Sequence, residues 1–194
     1  VLDISAGEAK YRPFFQHGRY VTLDAAVGDK TWDFSAIDIV GDAMALPIRA
    51  ASVDVVLSFD ALEHYAQPHV YFTEVARVLR PGGRLFLFVP HFYPEHQQPY
   101  DFYRFTQFAL RDLCVRNALE IEELYPLCSL FFSVTKAIDF MRDCMPMLGA
   151  NAATVAYLDE TRATLKAMAK QIDTAFATHP DAHMIRQMPV QYAL

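Results

Sequence analysis

Glycine is scarce in this chain, 7 of 194 residues, and only Gly7 falls in the opening apolar-to-small stretch. A G-x-G-x-x-G fingerprint is therefore absent, which argues against a loop that cradles a pyrophosphate. Cysteine is scarce too. Cys114, Cys128 and Cys144 are odd in number and lack metal-ligand spacing. They read as free thiols of a reducing compartment, so a cytoplasmic setting and no metal site are expected. Basic residues are outnumbered, 17 Lys and Arg against 23 Asp and Glu, for a net charge of −6. With no basic stripe, nucleic acid is not the favoured partner. No apolar run is long enough to span a bilayer, and no signal-peptide pattern is found, so no membrane association is expected.

What remains is a chain that is 53% apolar and 21% charged, the composition of a globular domain with a core of its own. It begins and ends inside strand-like patterns, which predicts that natural ends are missing. Residues 20–24, 38–42, 53–59 and 85–89 read as strands, the first two ending on Asp24 and Asp42. The continuous apolar run at 53–59 is that of a strand covered on both faces. Residues 69–79 carry an apolar stripe at helical period, ended by Arg80-Pro81-Gly82-Gly83. Strands alternating with helices predict a parallel sheet with helices on both faces.

Residues 91–106 form a loop rich in aromatic and titratable groups. Thr106 is expected to cap a helix to about Asn117 that buries Phe108, Leu110, Leu113 and Cys114. Residues 120–125 alternate like a strand. Residues 127–145 and a second stretch capped by Asn151 read as two long helices. In the second, Val155, Leu158, Leu165, Ala169, Ile172 and Phe176 recur at spacings of three and four, interrupted by Arg162.

The opening residues Val1-Leu2-Asp3-Ile4-Ser5-Ala6-Gly7-Glu8-Ala9 resemble the first motif of class I S-adenosylmethionine-dependent methyltransferases of the type 11 family. Residues 20–24 resemble its acidic second-strand motif, and Gly41-Asp42-Ala43 through Leu46-Pro47 its third. Residues 53–64, ending Leu62-Glu63-His64, are similar to the fourth, and residues 74–85 to the helix–turn–strand that follows. The resemblance runs from residue 1 to about residue 123. Pro99-Tyr100-Asp101-Phe102-Tyr103-Arg104-Phe105-Thr106 also resembles a segment of some members.

This resemblance implies a Rossmann-like, doubly wound, mostly parallel seven-stranded sheet with an antiparallel last strand. It divides the chain into a core (1–126), a helical insertion or lid (127–188) and a last core strand (189–194). Phe131, Phe132, Met141, Met145 and Met147 of the insertion could line an apolar substrate pocket, with plain core packing or a homodimer contact as the blander expectations. The implied activity is methyl transfer from S-adenosylmethionine to a small molecule by direct displacement.

For the cofactor, the resemblance implicates Asp3, Ser5, Gly7, Asp24, Asp42, Ala43 and Ser58. Asp24 would accept from the ribose hydroxyls and Asp42 from the adenine amino group, while the Ala43 N–H would donate to the ring. Asp3 and Glu8 add negative potential that suits a sulfonium better than a phosphate. His64 and Tyr100 are candidates for catalysis, and His91, Tyr93, Tyr103 and Arg104 for substrate contact. Each has a plainer reading: His64 as a cap or packing histidine, Arg104 as the ion-pair partner of Asp101. Ser5 and Ala9 stand where the family usually has glycine. That leaves a non-catalytic scaffold open as an alternative. An NAD-dependent oxidoreductase is the weaker one, resting on an acidic Asp24 at about the ribose-binding offset.

Overall fold

The computed structural model describes residues 1–28, 31–126, 130–176 and 191–193. They fall into two compact units, one of Val1–Pro90, Glu95–Tyr125 and Tyr192–Leu194, the other of His91–Pro94 and Pro126–Gln191. Among the described residues, no helix is long and apolar enough to cross a membrane.

In the first unit five strands pair in parallel: β1 (Leu2–Ile4), β2 (Val21–Asp24), β3 (Ile39–Val40), β4 (Val53–Phe59) and β5 (Leu79–Pro90). Their order is β3-β2-β1-β4-β5, and the sheet order continues through β7 (Gln191–Ala193) to β6 (Tyr125–Pro126). The chain leaves β1 in one direction for β2 and β3, then returns to the other side of β1 for β4 and β5. That reversal between β1 and β4 is a topological switch point, and the crevice at the strands' C-terminal ends there is where open α/β sheets bind ligands.

Burial explains the elements. All three residues of β1 are buried, as are Val56, Leu57 and Ser58 of β4. Helix α1 (Pro68–Val78) turns Tyr71, Phe72, Val75 and Val78 into the core at spacings of one turn. Its Glu74 and Arg77 pair with each other at 2.7 Å and hold the loop after β3: Glu74 accepts from the Leu46 N–H, while Arg77 donates to the Leu46 and Ile48 carbonyls. Arg12 does similar work for β2, donating to Asp38, which also accepts from the Thr22 N–H.

Four expectations change. Arg80-Pro81-Gly82-Gly83 does not separate helix from strand; α1 ends at Val78 and β5 already pairs at Leu79 opposite Val53. The four residues are instead accommodated as a register shift before Val55 meets Arg84. Gly83 is required there, because a Cβ would lie 3.0 Å from the Arg80 carbonyl oxygen and 3.2 Å from that of Asp54. The third strand is only two residues long and stops short of Asp42.

Phe108 is 73% exposed, not buried. In α2 (Gln107–Arg116) the inward residues are Leu110 and Cys114, one turn apart, and Phe108 sits about 200° around the helix from Leu110. Thr106 does cap α2, its hydroxyl accepting from the Ala109 N–H. Finally, residues 120–124 are not a strand. Ile121 and Leu124 pack on the core at a spacing of three, which breaks the alternation a strand needs.

The second unit contains α3 (Leu130–Cys144) and α4 (Ala152–Phe176). Asn151 caps the start of α4, accepting from the Thr154 N–H at 3.0 Å. Val155, Leu158, Leu165 and Ala169 are half-buried along one stripe. Arg162, the charge in that stripe, pairs with Asp139 of α3, and Arg142 of α3 pairs with Asp159 of α4 at 2.6 Å. The interruption is an interhelical ion pair. Met141 and Met147 are exposed and Met145 half-buried. The side chains of Phe131, Phe132, Ile172 and Phe176, together with Cys128, lie outside the described residues.

The packing sets a contrast for urea unfolding. Phe72→Ala should cost about 3–5 kcal/mol as a large core deletion, whereas Phe108→Ala should stay within about 0.5 kcal/mol. Equal losses would show that α2 is oriented differently.

Candidate functional site

The loop after β1 is built from alternate left-handed residues: Ser5, Gly7 and Ala9 have φ of 56°, 54° and 55°. Glycine adopts this conformation freely; a residue with a Cβ pays for it. Ser5 is compensated by a 2.7 Å hydrogen bond between its hydroxyl and that of Tyr65. Ala9 has no side chain that could do the same. Trp32 lies against the loop, 3.6 Å from where a Cβ on Gly7 would sit. Its ring was not among the expected site residues, because nothing in its sequence surroundings marks it.

Asp24 ends β2 almost fully buried and ties this loop down. One carboxylate oxygen accepts from the Gly7 N–H at 2.9 Å, the other from the Ala26 N–H at 2.8 Å. Each oxygen retains acceptor capacity beyond that one bond. Asp3 is buried in the middle of β1 and accepts from the Tyr20 hydroxyl. Burial pushes the Asp3 carboxyl up to about 6, the Tyr20 hydrogen bond opposing and the Asp24 charge adding to the rise.

Asp42 is exposed beyond β3, where its carboxylate accepts from the Met44 N–H at 2.8 Å in an Asx turn. Ala43 beside it is buried. Ser58 is fully buried at the end of β4, next to Tyr65 and Tyr71.

A second cluster forms just past β4. A 3₁₀ turn at Leu62–His64 buries Glu63 completely. Neither Glu63 carboxylate oxygen has a hydrogen-bond partner, and neither does Nε2 of His64. Burial pushes Glu63 up to about 8, with Asp60 and Asp101 adding to the rise. Burial also holds the His64 imidazole below its usual range, against the opposing carbonyl of Tyr100.

Nδ1 of His64 lies 2.5 Å from that carbonyl oxygen. Tyr100 thus meets His64 through its backbone, and its ring is half-exposed. The Glu63 carbonyl accepts from the N–H groups of Phe102 and Tyr103, clasping the 100–104 loop onto the turn.

Within that loop Arg104 grips Asp101 with two bonds, 2.7 and 2.8 Å, which hold the Asp101 carboxyl well below the usual carboxylate range. Asp101 in turn accepts from the His96 N–H and lies 3.3 Å from Nδ1 of the His96 ring. Nε2 of His96 is 3.8 Å from Oε1 of Glu63. Arg104 therefore serves the loop's own architecture, and the Tyr103 hydroxyl donates to the Ala66 carbonyl. Glu63, His96 and Asp101 complete a cluster with His64. The sequence marks Glu63 as a neighbour of His64 and places His96 and Asp101 in the 91–106 loop, but nothing in their spacing shows that they meet. His91 and Tyr93 belong to the other compact unit. There Tyr93 lines a polar cavity of about 370 Å³ with Lys136, Asp139, Arg142 and Arg162.

Residues 2–87 match the model of a family described as a methyltransferase domain. Over 87 residues the chain is 37% identical to a candidate S-adenosylmethionine-dependent methyltransferase of Mycolicibacterium smegmatis, covering 43% of this chain. The chain spans only 31% of that relative's length.

Among solved structures it is similar to the complex between the Haloferax volcanii Trm112 methyltransferase activator and a candidate methyltransferase. The TM-score there is 0.54 and the identity 25%, over 66% of this chain and 65% of that one. The fold also matches Haemonchus contortus phosphoethanolamine N-methyltransferase 2 in complex with S-adenosyl-L-methionine, at TM-score 0.55 and 15% identity. That match covers 99% of this chain and 47% of that one.

Two predictions follow from the loop. Ala9→Gly should raise unfolding stability by about 0.5–1 kcal/mol by relieving the left-handed strain, while Ser5→Gly gains nothing because it also removes the bond to Tyr65. Equal gains would show that the hydroxyl pair is idle.

For Asp3 the folded value exceeds the unfolded one of 3.8, so the native state holds its proton more tightly. Its contribution is therefore full below pH 4 and lost as pH rises through 6, by on the order of 2–3 kcal/mol. Denaturant unfolding between pH 4 and 7 should show that loss together with the one the raised Glu63 carboxyl adds from about pH 4.5 upward. Asp3→Asn should remove the Asp3 share and flatten the slope. The same slope in the variant would place its origin elsewhere.

Proposed function

Because residues 2–87 belong to the type 11 family of class I S-adenosylmethionine-dependent methyltransferases, we propose that the chain moves a methyl group from this cofactor to a small-molecule acceptor. The observation that carries the reading is the tie between Asp24 at the end of β2 and Gly7 of the opening loop, inside the residues that match the family. When bound, the cofactor supplies an electrophilic methyl group on a sulfonium. The chain's own residues bind, orient and exclude water, and proximity alone can be worth ~7–11 kcal/mol of such a barrier.

Asp24 keeps acceptor capacity for the ribose hydroxyls beyond its two backbone bonds. Asp42 and the Ala43 N–H take the adenine, and Asp3, Ser5 and Gly7 shape the loop, with Ser58 behind it. The buried Asp3 and Asp24 carboxyls and the nearby Glu8 suit a cation. His64, held through Nδ1 by the Tyr100 carbonyl, presents Nε2 as the candidate base for an acceptor that must lose a proton. Tyr100 assists by fixing that ring, with Tyr103 and the Asp101-bound Arg104 as the candidate acceptor contacts of this unit. His91 and Tyr93, of the other unit, are candidates by themselves. The left-handed geometry retained at Ser5 and Ala9 favours a working binding loop over a scaffold.

The finer architecture in this reading is a seven-stranded sheet whose last strand runs antiparallel, with residues 127–188 as an insertion. Exposed Phe140, Met141, Met147 and Leu148 support a homodimer contact on that insertion. The free thiols of Cys114 and Cys144 suit a cytoplasmic setting.

Calorimetric titration with S-adenosylmethionine, S-adenosylhomocysteine and NAD tests the proposal. Both sulfur ligands should bind, and Asp24→Ala and Asp42→Ala should each weaken them at least ~tenfold, equivalent to about 1.4 kcal/mol. Asp42 is exposed, so its variant separates ligand contact from stability. Tight NAD binding would overturn the reading, and binding of none of the three would favour the scaffold.

A further inference from the structure

The Glu63 carboxyl poses a physical problem that methyl transfer does not solve. It is fully buried, and neither oxygen has a hydrogen-bond partner in another residue, the only N–H near enough to favour its charged form being its own. Leaving such a group without a partner costs free energy whether it is charged or neutral. What surrounds Oε1 is not a donor but two imidazole nitrogens. Nε2 of His64 and Nε2 of His96 each lie 3.8 Å from it, too far for a hydrogen bond. One ligand-type atom from each of the three residues falls within 4.8 Å of the other two. The two rings stand nearly edge-on, centroids 4.7 Å apart, so their nitrogens converge without stacking.

We propose that Glu63, His64 and His96 form a binding site for a divalent transition-metal ion of the Zn²⁺ type. Two imidazoles and one carboxylate are a donor set that such ions take, with a coordination position left over for water or an oxygen of another ligand. Bonds of ~2.0–2.2 Å in a tetrahedral site put ligand atoms ~3.3–3.6 Å apart. The two 3.8 Å separations from Glu63 therefore need to close by only a few tenths of an ångström, and that between the two histidines, within 4.8 Å, by at most ~1.5 Å. A divalent ion also supplies what the buried carboxylate lacks.

The groups behind the ligands fit the same role. A metal-bound histidine is held by a hydrogen bond from its other nitrogen to a carbonyl or carboxylate. His64 has the Tyr100 carbonyl at Nδ1, and His96 has Asp101 at Nδ1. Asp101 is fixed in place by the two bonds from Arg104. Glu63 is held through its own backbone carbonyl, which anchors Phe102 and Tyr103. The sequence contains no ligand spacing of a familiar kind, because His96 and the Glu63–His64 pair meet only through the folding of the 91–106 loop. The site is separate from Asp24 and Asp42 but shares Nε2 of His64 with the candidate base, so a bound ion and proton removal by that nitrogen exclude each other. Metal uptake is read without reference to methyl transfer.

The test uses the whole chain, stripped with a chelator and desalted. Zn²⁺ is titrated against a chromophoric competitor, bound metal is counted by mass spectrometry, and Co²⁺ absorption reads the ligand field. One ion per chain is expected, with a dissociation constant on the order of a micromolar or tighter. Glu63→Gln and His96→Ala should each weaken it at least ~tenfold, and Asp101→Asn, one shell further out, by ~10–100-fold. Circular dichroism and S-adenosylhomocysteine affinity establish that each variant is folded. His96 is partly exposed, so its variant covers the case in which Glu63→Gln does not fold. Failure of wild type to take up Zn²⁺ would overturn the site. So would uptake that persists at wild-type affinity in a folded His96→Ala variant, which would put the ion elsewhere.

Discussion

The bond between Asp24 and the Gly7 N–H is the constraint on which the binding end of the sheet depends. Asp24 is the last residue of β2, and Gly7 is the middle of three left-handed residues in the loop leaving β1. A carboxylate accepting two backbone N–H groups turns two loose connections into one fixed corner. The Ala6 N–H reinforces it by donating to the Leu23 carbonyl. Parallel pairing of β1 with β2 and β4 then brings that corner to the switch point. Two of its three left-handed residues, Ser5 and Ala9, are not glycine, so the loop holds this shape at a cost in strain.

Much of this was legible from residue types. The mainly apolar run at Val53–Phe59 is the observed β4, covered at Val56–Ser58, where no alternation is needed, and open to solvent at Asp54. The stripe in α1 was readable in part: of Val70, Phe72, Val75, Ala76 and Leu79, the helix buries Phe72 and Val75 fully, while Tyr71 and Val78 complete its inward face. Asn151 and Thr106 were readable as caps because a side-chain oxygen before an apolar run has little else to do.

The misreadings share a cause. Phe108 looks like core by its type, but its angle around α2 is set by Leu110 and Cys114. Arg80-Pro81-Gly82-Gly83 looks like a stop, yet a strand can absorb extra residues where its partner allows a register shift. The candidate site divides the same way. Asp3 and Asp24 stand at strand positions, and Asp42 in the turn just beyond a strand, that their own segments define. Glu63 and His96 do not, since what matters about them is a meeting between distant segments. Arg104 was readable as a partner of Asp101 from their spacing alone.

Burial is spent unevenly on acidic groups. Asp3 and Glu63 are both taken out of water, but Asp3 keeps a hydrogen bond from Tyr20 and Glu63 keeps none. A core can hold a carboxyl of the first kind as a structural element. The second kind is worth keeping only if something else arrives.

The hydroxyl pair between Ser5 and Tyr65 joins these two regions. Tyr65 directly follows the turn that carries Glu63 and His64, and Ser5 opens the loop that Asp24 fixes. Whatever reshapes the loop at Ser5 must do so with or against Tyr65, and the reverse holds for the turn. The two regions thus share one polar contact at 2.7 Å, made by the only part of the Ser5 side chain able to reach the turn.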